Sequence, residues 1–402
     1  MLTKRGWGLL SGSMILGAAG RTIGVIELYV LAAGGVGLLL MAILAVLVRG
    51  RVALEGRRRL VPSRVHAGSD SRVELEVTNP GSRTTPVVTL RDTVVAERGA
   101  AAAPRLARFQ LAPLRPEESN RAAYRLGAER RGVFRVGPLE VVVSDPFGLV
   151  SVTSEAAATT ELTVYPRVEV VVPPPLTTGH DPRSGGGHAT FLGHGDEFYG
   201  LRAYEVGDDL RQVHWPSTAR QDELMIRQHE LPWQGRSTVL LDVRSSAHDD
   251  ASFEQAVSAA ASLLTASWKR DSQVRLLTTE GLDSNFGSGT GHIEAAMEHL
   301  AVVERGRDRL EPLVGAMRRR ATGALVVITT HAGARGMSRL AVASGGFGWR
   351  AVVTFAGGRA SAADGTAAAP LAAVHVPVGP GQSFAEAWNR ALVAAPVGFG
   401  RR

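Results

Sequence analysis

From Leu28 to Val48 the chain runs LYVLAAGGVGLLLMAILAVLV without a single charged side chain. A hydrocarbon core of about 30 Å takes roughly 20 helical residues to cross, so this run predicts a transmembrane helix. A buried hairpin in a soluble protein fits an uncharged run of this length poorly. The stretch from Trp7 to Gly20 is also apolar, but it is shorter and follows Lys4 and Arg5. It reads as a second span or as a signal peptide ending in the small residues of 17–20. The expectation for residues 1–50 is a transmembrane helical hairpin with spans at about 6–20 and 28–48, hence a multi-pass anchor in the cell membrane.

The charge distribution gives an orientation. The net charge is +7, and six of those charges fall in residues 1–59, where Lys4, Arg5, Arg21, Arg49, Arg51, Arg57, Arg58 and Arg59 face only Glu27 and Glu55. Basic residues flanking a span hold that side in the cytoplasm, which places the rest of the chain there. Beyond residue 59 the chain is nearly neutral, without the basic stripe of a nucleic-acid interface. No cysteine is present, so disulfides, thiolate metal sites and cysteine nucleophiles are all excluded.

A chain of 402 residues exceeds one ordinary core, and its pattern changes twice. Over residues 60–166 short segments alternate apolar and polar side chains, as in Arg72 to Val77 and Pro86 to Leu90, with turn residues Asn79, Pro80 and Gly81 between them. This predicts a β-sandwich, with further strands at Ala122 to Leu126, Gly132 to Val136, Leu139 to Val143 and Glu161 to Val164. The segment Asp145-Pro146-Phe147-Gly148-Leu149 reads as a turn pinned by Phe147. Residues 167–192 form a linker.

Past residue 236 strand and helix patterns alternate. Strands are expected at Ser237 to Leu241, Gln273 to Thr278, Ala324 to Thr329, Trp349 to Phe355 and His375 to Val378. Helices are expected at Ser252 to Lys269, His292 to Val303 and Ser383 to Val393. Such alternation argues for a mainly parallel sheet covered on both faces, whose ligands bind at the carboxyl ends of the strands. The expected fold class is therefore α+β multidomain: a helical hairpin, a β-sandwich, and an α/β domain within residues 193–402.

Two regions could carry chemistry. Between Gly193 and Gln228 the carboxylates Asp196, Glu197, Asp208, Asp209, Asp222 and Glu223 alternate with Arg202, Arg211, Arg220 and Arg227. The segment reads either as a salt-bridged collar packed by Tyr199, Leu201, Tyr204 and Trp215, or as a docking surface with an arginine rim. Gly195 to Phe198 is similar to the diguanylate cyclase signature, but His194 precedes it where that signature has glycine, and a linker stands where that fold needs strands and helices. His180, His188, His194 and His214 lack the tight spacing that fixes metal ligands. No phosphate-binding glycine loop and no nucleophile elbow occurs.

The second region follows the first expected strand. Asp242-Val243-Arg244-Ser245-Ser246 resembles the Asp-x-Ser-x-Ser metal-binding loop of von Willebrand factor A domains, with Arg244 in place of the central hydroxyl. The resemblance implies that fold. Arg244 removes an oxygen donor and adds a positive charge, so a divalent cation is not expected, and no other cofactor is implied.

The membrane segments, a β region ending in DPFGL, the run GDEFYGLRAYEVGDDLRQVHW with STAR, and the factor-A-like region together resemble domain-of-unknown-function family 58. Asp196 to Arg220 is the specific part. His214 and Pro216 depart from the family's usual acidic or amide and basic residues. The resemblance implies a membrane-anchored partner of a MoxR-type AAA+ ATPase. It marks Glu197, Phe198, Arg202, Tyr204, Asp208, Asp209, Arg211, Trp215 and Arg220 as candidate partner-binding positions. The expected function is a non-enzymatic interaction scaffold. The alternative is a metal-dependent binding or hydrolytic protein using Asp242 and Ser246 with Asp208 or Asp209.

Overall fold

The computed structural model describes residues 2–49, 52–99, 102–176, 198–203, 215–221, 224–229, 235–307, 310–335, 337–357 and 374–394. The chain divides into two compact units. One is Met1–Arg167 with Met297–Glu304; the other is Val168–Ala296 with Arg305–Arg402.

The first unit begins with a helical hairpin, α1 (Lys4–Ile23) and α2 (Ile26–Arg49). Small residues let the two backbones approach. A Cβ built on Gly35 would lie 2.2 Å from Ser13 Oγ, and one on Gly20 would meet Leu28 and Tyr29 at 3.2 Å. On α2 the buried positions Ala32, Leu39, Ala42 and Val46 recur at spacings of three, four and seven, so they form one stripe.

The opposite faces carry exposed Trp7, Met14, Ile15, Leu40, Leu44 and Leu47. Among the described residues only Ile26–Val48 is long and apolar enough to cross a membrane. The expected second span is thus not supported. α1 has a full helical length, but its glycines, serines and Arg21 dilute its apolar character, and of these Ser13 and Gly20 are buried against α2.

Among the described residues nine strands follow in this unit: β1 (Glu55–Val61), β2 (Arg64–His66), β3 (Ser69–Thr78), β4 (Val88–Gly99), β5 (Arg105–Leu111), β6 (Ser119–Ala128), β7 (Gly132–Ser144), β8 (Ser151–Ala157) and β9 (Thr160–Tyr165). They form a three-stranded sheet, β1-β3-β6, and a six-stranded one, β2-β9-β7-β4-β5 with β8 on β7. Pairing is antiparallel except between β2 and β9. Alternation buries Val73, Leu75 and Val77 from one sheet and Leu90, Leu139, Val141, Leu162 and Val164 from the other in one shared core.

Arg57, Arg58 and Arg59, expected as juxtamembrane charges, lie instead in β1. Arg58 and Asp92 are both nearly fully buried and pair at 2.6 Å. The Arg58 guanidinium also donates to the carbonyls of Val136 and Ala158, and the Tyr124 hydroxyl donates to Asp92 Oδ2 at 2.8 Å. Burial, then the Asp92 charge, pushes the Tyr124 phenol far above its ordinary value. Because Arg58 and Tyr124 come from one sheet and Asp92 from the other, this network ties the sheets together.

Gly137 makes room for it. Its φ of 101° suits glycine, and a Cβ there would fall 2.6 Å from the Arg58 guanidinium. The two strands expected on either side of it are one continuous β7, which passes through Gly137 where its register with β4 shifts between Asp92 and Val94.

The second unit holds a two-stranded antiparallel sheet, β10 (Phe198–Ala203) and β11 (Met225–His229), with α3 (Trp215–Gln221) between them in sequence. Its main body is a five-stranded parallel sheet of β12 (Arg236–Leu241), β13 (Gln273–Thr278), β14 (Ala324–Thr330), β15 (Trp349–Phe355) and β16 (Val374–Val378). The order is β13-β12-β14-β15-β16, with every neighbouring pair parallel.

The helices after β12 among the described residues are α4 (Asp250–Lys269), α5 (Thr290–Val302, of which the residues from Met297 on fall in the first unit), α6 (Leu310–Arg319), α7 (His331–Arg335), α8 (Ser338–Ala343) and α9 (Phe384–Ala394). α6 and α8 supply Leu313, Met317, Leu340 and Ala343 to a core with Leu240, Leu277, Leu325, Val327 and Val352. α4 packs on β12, β13, β14 and β15. The strands are therefore covered on both faces, and all seven residues of β14 are buried. α4 starts from a capping box in which Asp249 accepts from the Ser252 backbone and Ser252 accepts from that of Asp249.

Arg58→Met should leave Asp92 buried without its cation and lower stability by about 3–5 kcal/mol. The double variant with Asp92→Leu should recover most of that loss. Thermal unfolding of the detergent-solubilised protein checks both, and an unchanged Arg58→Met midpoint would remove the proposed tie between the sheets.

Candidate functional site

In the parallel sheet the chain passes from β12 to β13 on one side and then to β14 on the other. Ligands on such sheets bind at this reversal, outside the carboxyl ends of the strands. Asp242 immediately follows β12, and its backbone N–H donates to Ile328 O of β14 at 2.9 Å. It thus stands at the reversal, fully buried.

Arg244 has turned back onto this carboxylate. Its Nε donates to Asp242 Oδ1 and its Nη2 to Oδ2, each at 2.8 Å, and its backbone N–H donates to Oδ1 at 3.1 Å. Thr329 Oγ1 donates to Oδ2 at 2.6 Å and Thr279 Oγ1 to Oδ1 at 3.3 Å. Nη2 also donates to Gly333 O at 2.9 Å. Residue 333 must be small, since a Cβ would lie 2.2 Å from Thr329 Oγ1 and 2.7 Å from Asp242 Oδ2.

Burial pushes the Asp242 carboxyl up, but the Arg244 hydrogen bonds and charge, aided by Thr329 and His248, hold it below its ordinary value. The ion pair is planar and bidentate, the geometry in which arginine binds carboxylate most strongly.

A metal ion at this loop would need the carboxylate lone pairs that Arg244, Thr279 and Thr329 already engage. The residues present do not fit a divalent cation, because a fixed guanidinium stands where the positive charge would be. Ser246 is exposed in the turn after Arg244, whereas Asp242 is fully buried. Among the described residues no group of three or more histidines, aspartates and glutamates is placed to hold a metal.

His248 lies beside this pair. It is 3% exposed, its ring meets Phe253 edge-on at 5.8 Å, and neither ring nitrogen has a hydrogen-bond partner among the described residues. Burial lowers its proton affinity below the ordinary value, the nearby Asp242 charge opposes that, and Arg244 adds to it. A neutral imidazole packed against a salt bridge is not a proton donor poised toward solvent. Further along the sheet Thr354 Oγ1 and His375 Nε2 lie 2.8 Å apart, and burial followed by His331 lowers His375.

Of the motif positions, Glu197, Tyr204, Asp208, Asp209 and Arg211 lie outside the described residues, as do His180, His188, His194 and His214. Phe198 and Arg202 are in β10, and Trp215 and Arg220 are in α3. Trp215 is 66% exposed, so the expected packing role of its indole is not met. The turn expected to be pinned by Phe147 is held otherwise: Phe147 is 55% exposed, and Leu149 is the buried anchor.

The reading from residues missed that Arg244 pairs with Asp242. An aspartate and an arginine two positions apart just after a buried strand were the available signal. Thr279 and Gly333 carried none, because only the fold brings them to the loop, and nothing in the sequence marks His248, six positions after Asp242, as buried beside the pair.

Stability should depend on pH through His248. Its affinity for a proton is depressed on folding, so the unfolded chain binds the proton first as pH falls below the ordinary value of 6.5. Stability is complete above that value and declines as pH drops through it; Asp242, also depressed, adds a second decline below 3.8. Denaturation midpoints measured from pH 7.5 to 5 should fall in the wild type, and His248→Phe should flatten this limb.

No curated protein matches the chain. Among solved structures, a CARDB domain of a Pyrococcus furiosus protein in complex with di-metal ions is similar at 17% identity, covering 28% of this chain and 90% of that one, with a TM-score of 0.19. A β-glucosidase from Listeria innocua in complex with gluconolactone is similar at 18% identity, covering 28% of this chain and 16% of that one, with a TM-score of 0.20. Superpositions this loose bear on neither the fold nor the function of this chain. Residues 200–346 match the family described as Protein of unknown function DUF58, the family that the segment from Asp196 to Arg220 resembles.

Proposed function

We propose that this chain is a membrane-anchored, non-enzymatic interaction scaffold working with a MoxR-type AAA+ ATPase. In this reading the two sheets of the first unit form a β-sandwich, and the five-stranded parallel sheet is the core of a von Willebrand factor A-like domain. The observation that carries it is the closure of the reversal site by Arg244: the loop that would hold a metal for binding or catalysis holds a guanidinium instead. Such a loop supports a rigid display surface without supplying a Lewis acid or an activated water.

The anchor is α2, with α1 packed beside it. Lys4 and Arg5 open α1 and Arg49 closes α2. The hairpin brings these ends together, since Leu2, Leu9 and Leu10 share a cluster with Leu39, Ala42 and Val46. Positive charge gathered at one end of a membrane hairpin favours the cytoplasmic side, which supports a cell-membrane protein with its soluble units in the cytoplasm. Nucleic acid and cofactors have no part in this reading. The ATPase comes from the family resemblance.

Affinity capture of the full chain from solubilised membranes, with ATP analogue and without nucleotide, should recover an AAA+ ATPase. Recovery of none in either state would overturn the partner. Calorimetric titration with magnesium and manganese should give no binding heat. Tight binding abolished by Asp242→Ala would replace the scaffold reading with the metal-dependent alternative that uses Asp242 and Ser246.

A further inference from the structure

The turn from Asp145 to Leu149 is rigid and satisfied from within. Buried Asp145 accepts the Phe147 N–H at 2.8 Å through Oδ2 and the Val150 N–H at 2.6 Å through Oδ1. Gly148 N–H donates to Asp145 O at 3.0 Å, with Gly148 at a φ of 66°. With the backbone spent this way, the turn holds Phe147 outward at 55% exposure.

This turn grips the hairpin. Thr3 N–H donates to Leu149 O at 2.9 Å, Thr3 Oγ1 donates to Gly148 O at 2.7 Å, and Thr3 caps α1 by accepting the Gly6 N–H at 3.1 Å. A Cβ on Gly6 would fall 2.2 Å from Leu149 O. Leu149 and Val150 join the cluster of Leu39, Ala42 and Val46 on α2. At a rise of about 1.5 Å per residue those three positions lie roughly 5 to 15 Å before Arg49 along the helix. The turn is therefore level with the last turns of the apolar helix, the same level at which Trp7, Leu44 and Leu47 are exposed.

We propose that the Asp145–Leu149 turn inserts into the membrane, seating Phe147 at the boundary between headgroups and acyl chains of an anionic phospholipid leaflet, with Lys4 and Arg5 on the phosphates. The proposal rests on α2 being the anchor. A bilayer that covers α2 up to Arg49 reaches the depth at which the turn packs. Aromatic side chains are favoured at that level, and basic ones on anionic lipid. A Cβ on Gly148 would lie 3.8 Å from the Arg5 guanidinium, so the cation and the turn face one region.

The chain contains no cysteine, so single cysteines can be labelled uniquely. Phe147→Cys, Leu40→Cys and Leu106→Cys are each tagged with a nitroxide in the full chain and reconstituted into vesicles of phosphatidylcholine with phosphatidylglycerol. Leu106 is 53% exposed on β5, where it pairs with Thr93 at the level of the middle of β7, about 20 Å along that strand from the turn, and Leu40 is 61% exposed on α2. Oxygen accessibility relative to a water-soluble nickel chelate should be severalfold higher at 147 than at 106, and highest at 40. A ratio at 147 equal to that at 106, with 40 still deep, overturns insertion and leaves the anchor standing. A water-exposed label at 40 overturns the anchor itself. In Lys4→Gln/Arg5→Gln the label at 147 should become shallower in anionic vesicles, and an unchanged depth overturns the role given to the two cations.

Discussion

The bidentate pairing of Arg244 with Asp242 sets what the parallel sheet can present. It fills the point where the strand order reverses, using charge from the loop itself. Its strength comes from burial with full satisfaction: Thr279, Thr329 and Gly333 complete the hydrogen bonds of both ions. Removing one member of such a pair leaves an uncompensated charge and costs about 3–5 kcal/mol, whereas the pair itself adds little over an apolar substitute. Its contribution is thus one of definition. It fixes where β12, β14, the loop and α7 stand with respect to one another.

A comparable arrangement recurs in the first unit, where Arg58, Asp92 and Tyr124 join two sheets through a buried ion pair. In both places a guanidinium reads a carboxylate and backbone carbonyls at once, which a compact ammonium could not do with the same planar geometry. Both rely on a glycine for clearance, Gly137 beside Arg58 and Gly333 beside Asp242.

Much of the parallel sheet was legible because its strands are buried on both faces and read as short apolar runs. Gln273–Thr278 and Trp349–Phe355 coincide with their sequence expectations, and the others differ by a residue at an end. β1 was not legible, since EGRRRLV carries three arginines and only the partner Asp92 explains the inward one. β8 carries one large apolar residue, too few to mark a buried face, and in β5 the exposed Leu106 obscures the inward alternation of Ala107, Phe109 and Leu111. At the site, Asp242 and Arg244 could be picked out from one loop, but their pairing depends on how the arginine folds back. The residues that complete it come from positions 37 and 87 further along the chain.

The grip of Leu149 and Gly148 on Thr3, joined to the packing of Leu149 and Val150 on α2, has a mechanical consequence. A domain hung from one helix by a single strand of chain can swing and spin. Here the start of α1 and the later turns of α2 are both fastened to one turn of the β domain, so the hairpin and the sheets share a fixed angle. Tilting the helices turns the sheets with them, and torque applied to the sheets is delivered to the hairpin. The joint behaves as a bracket, not a leash.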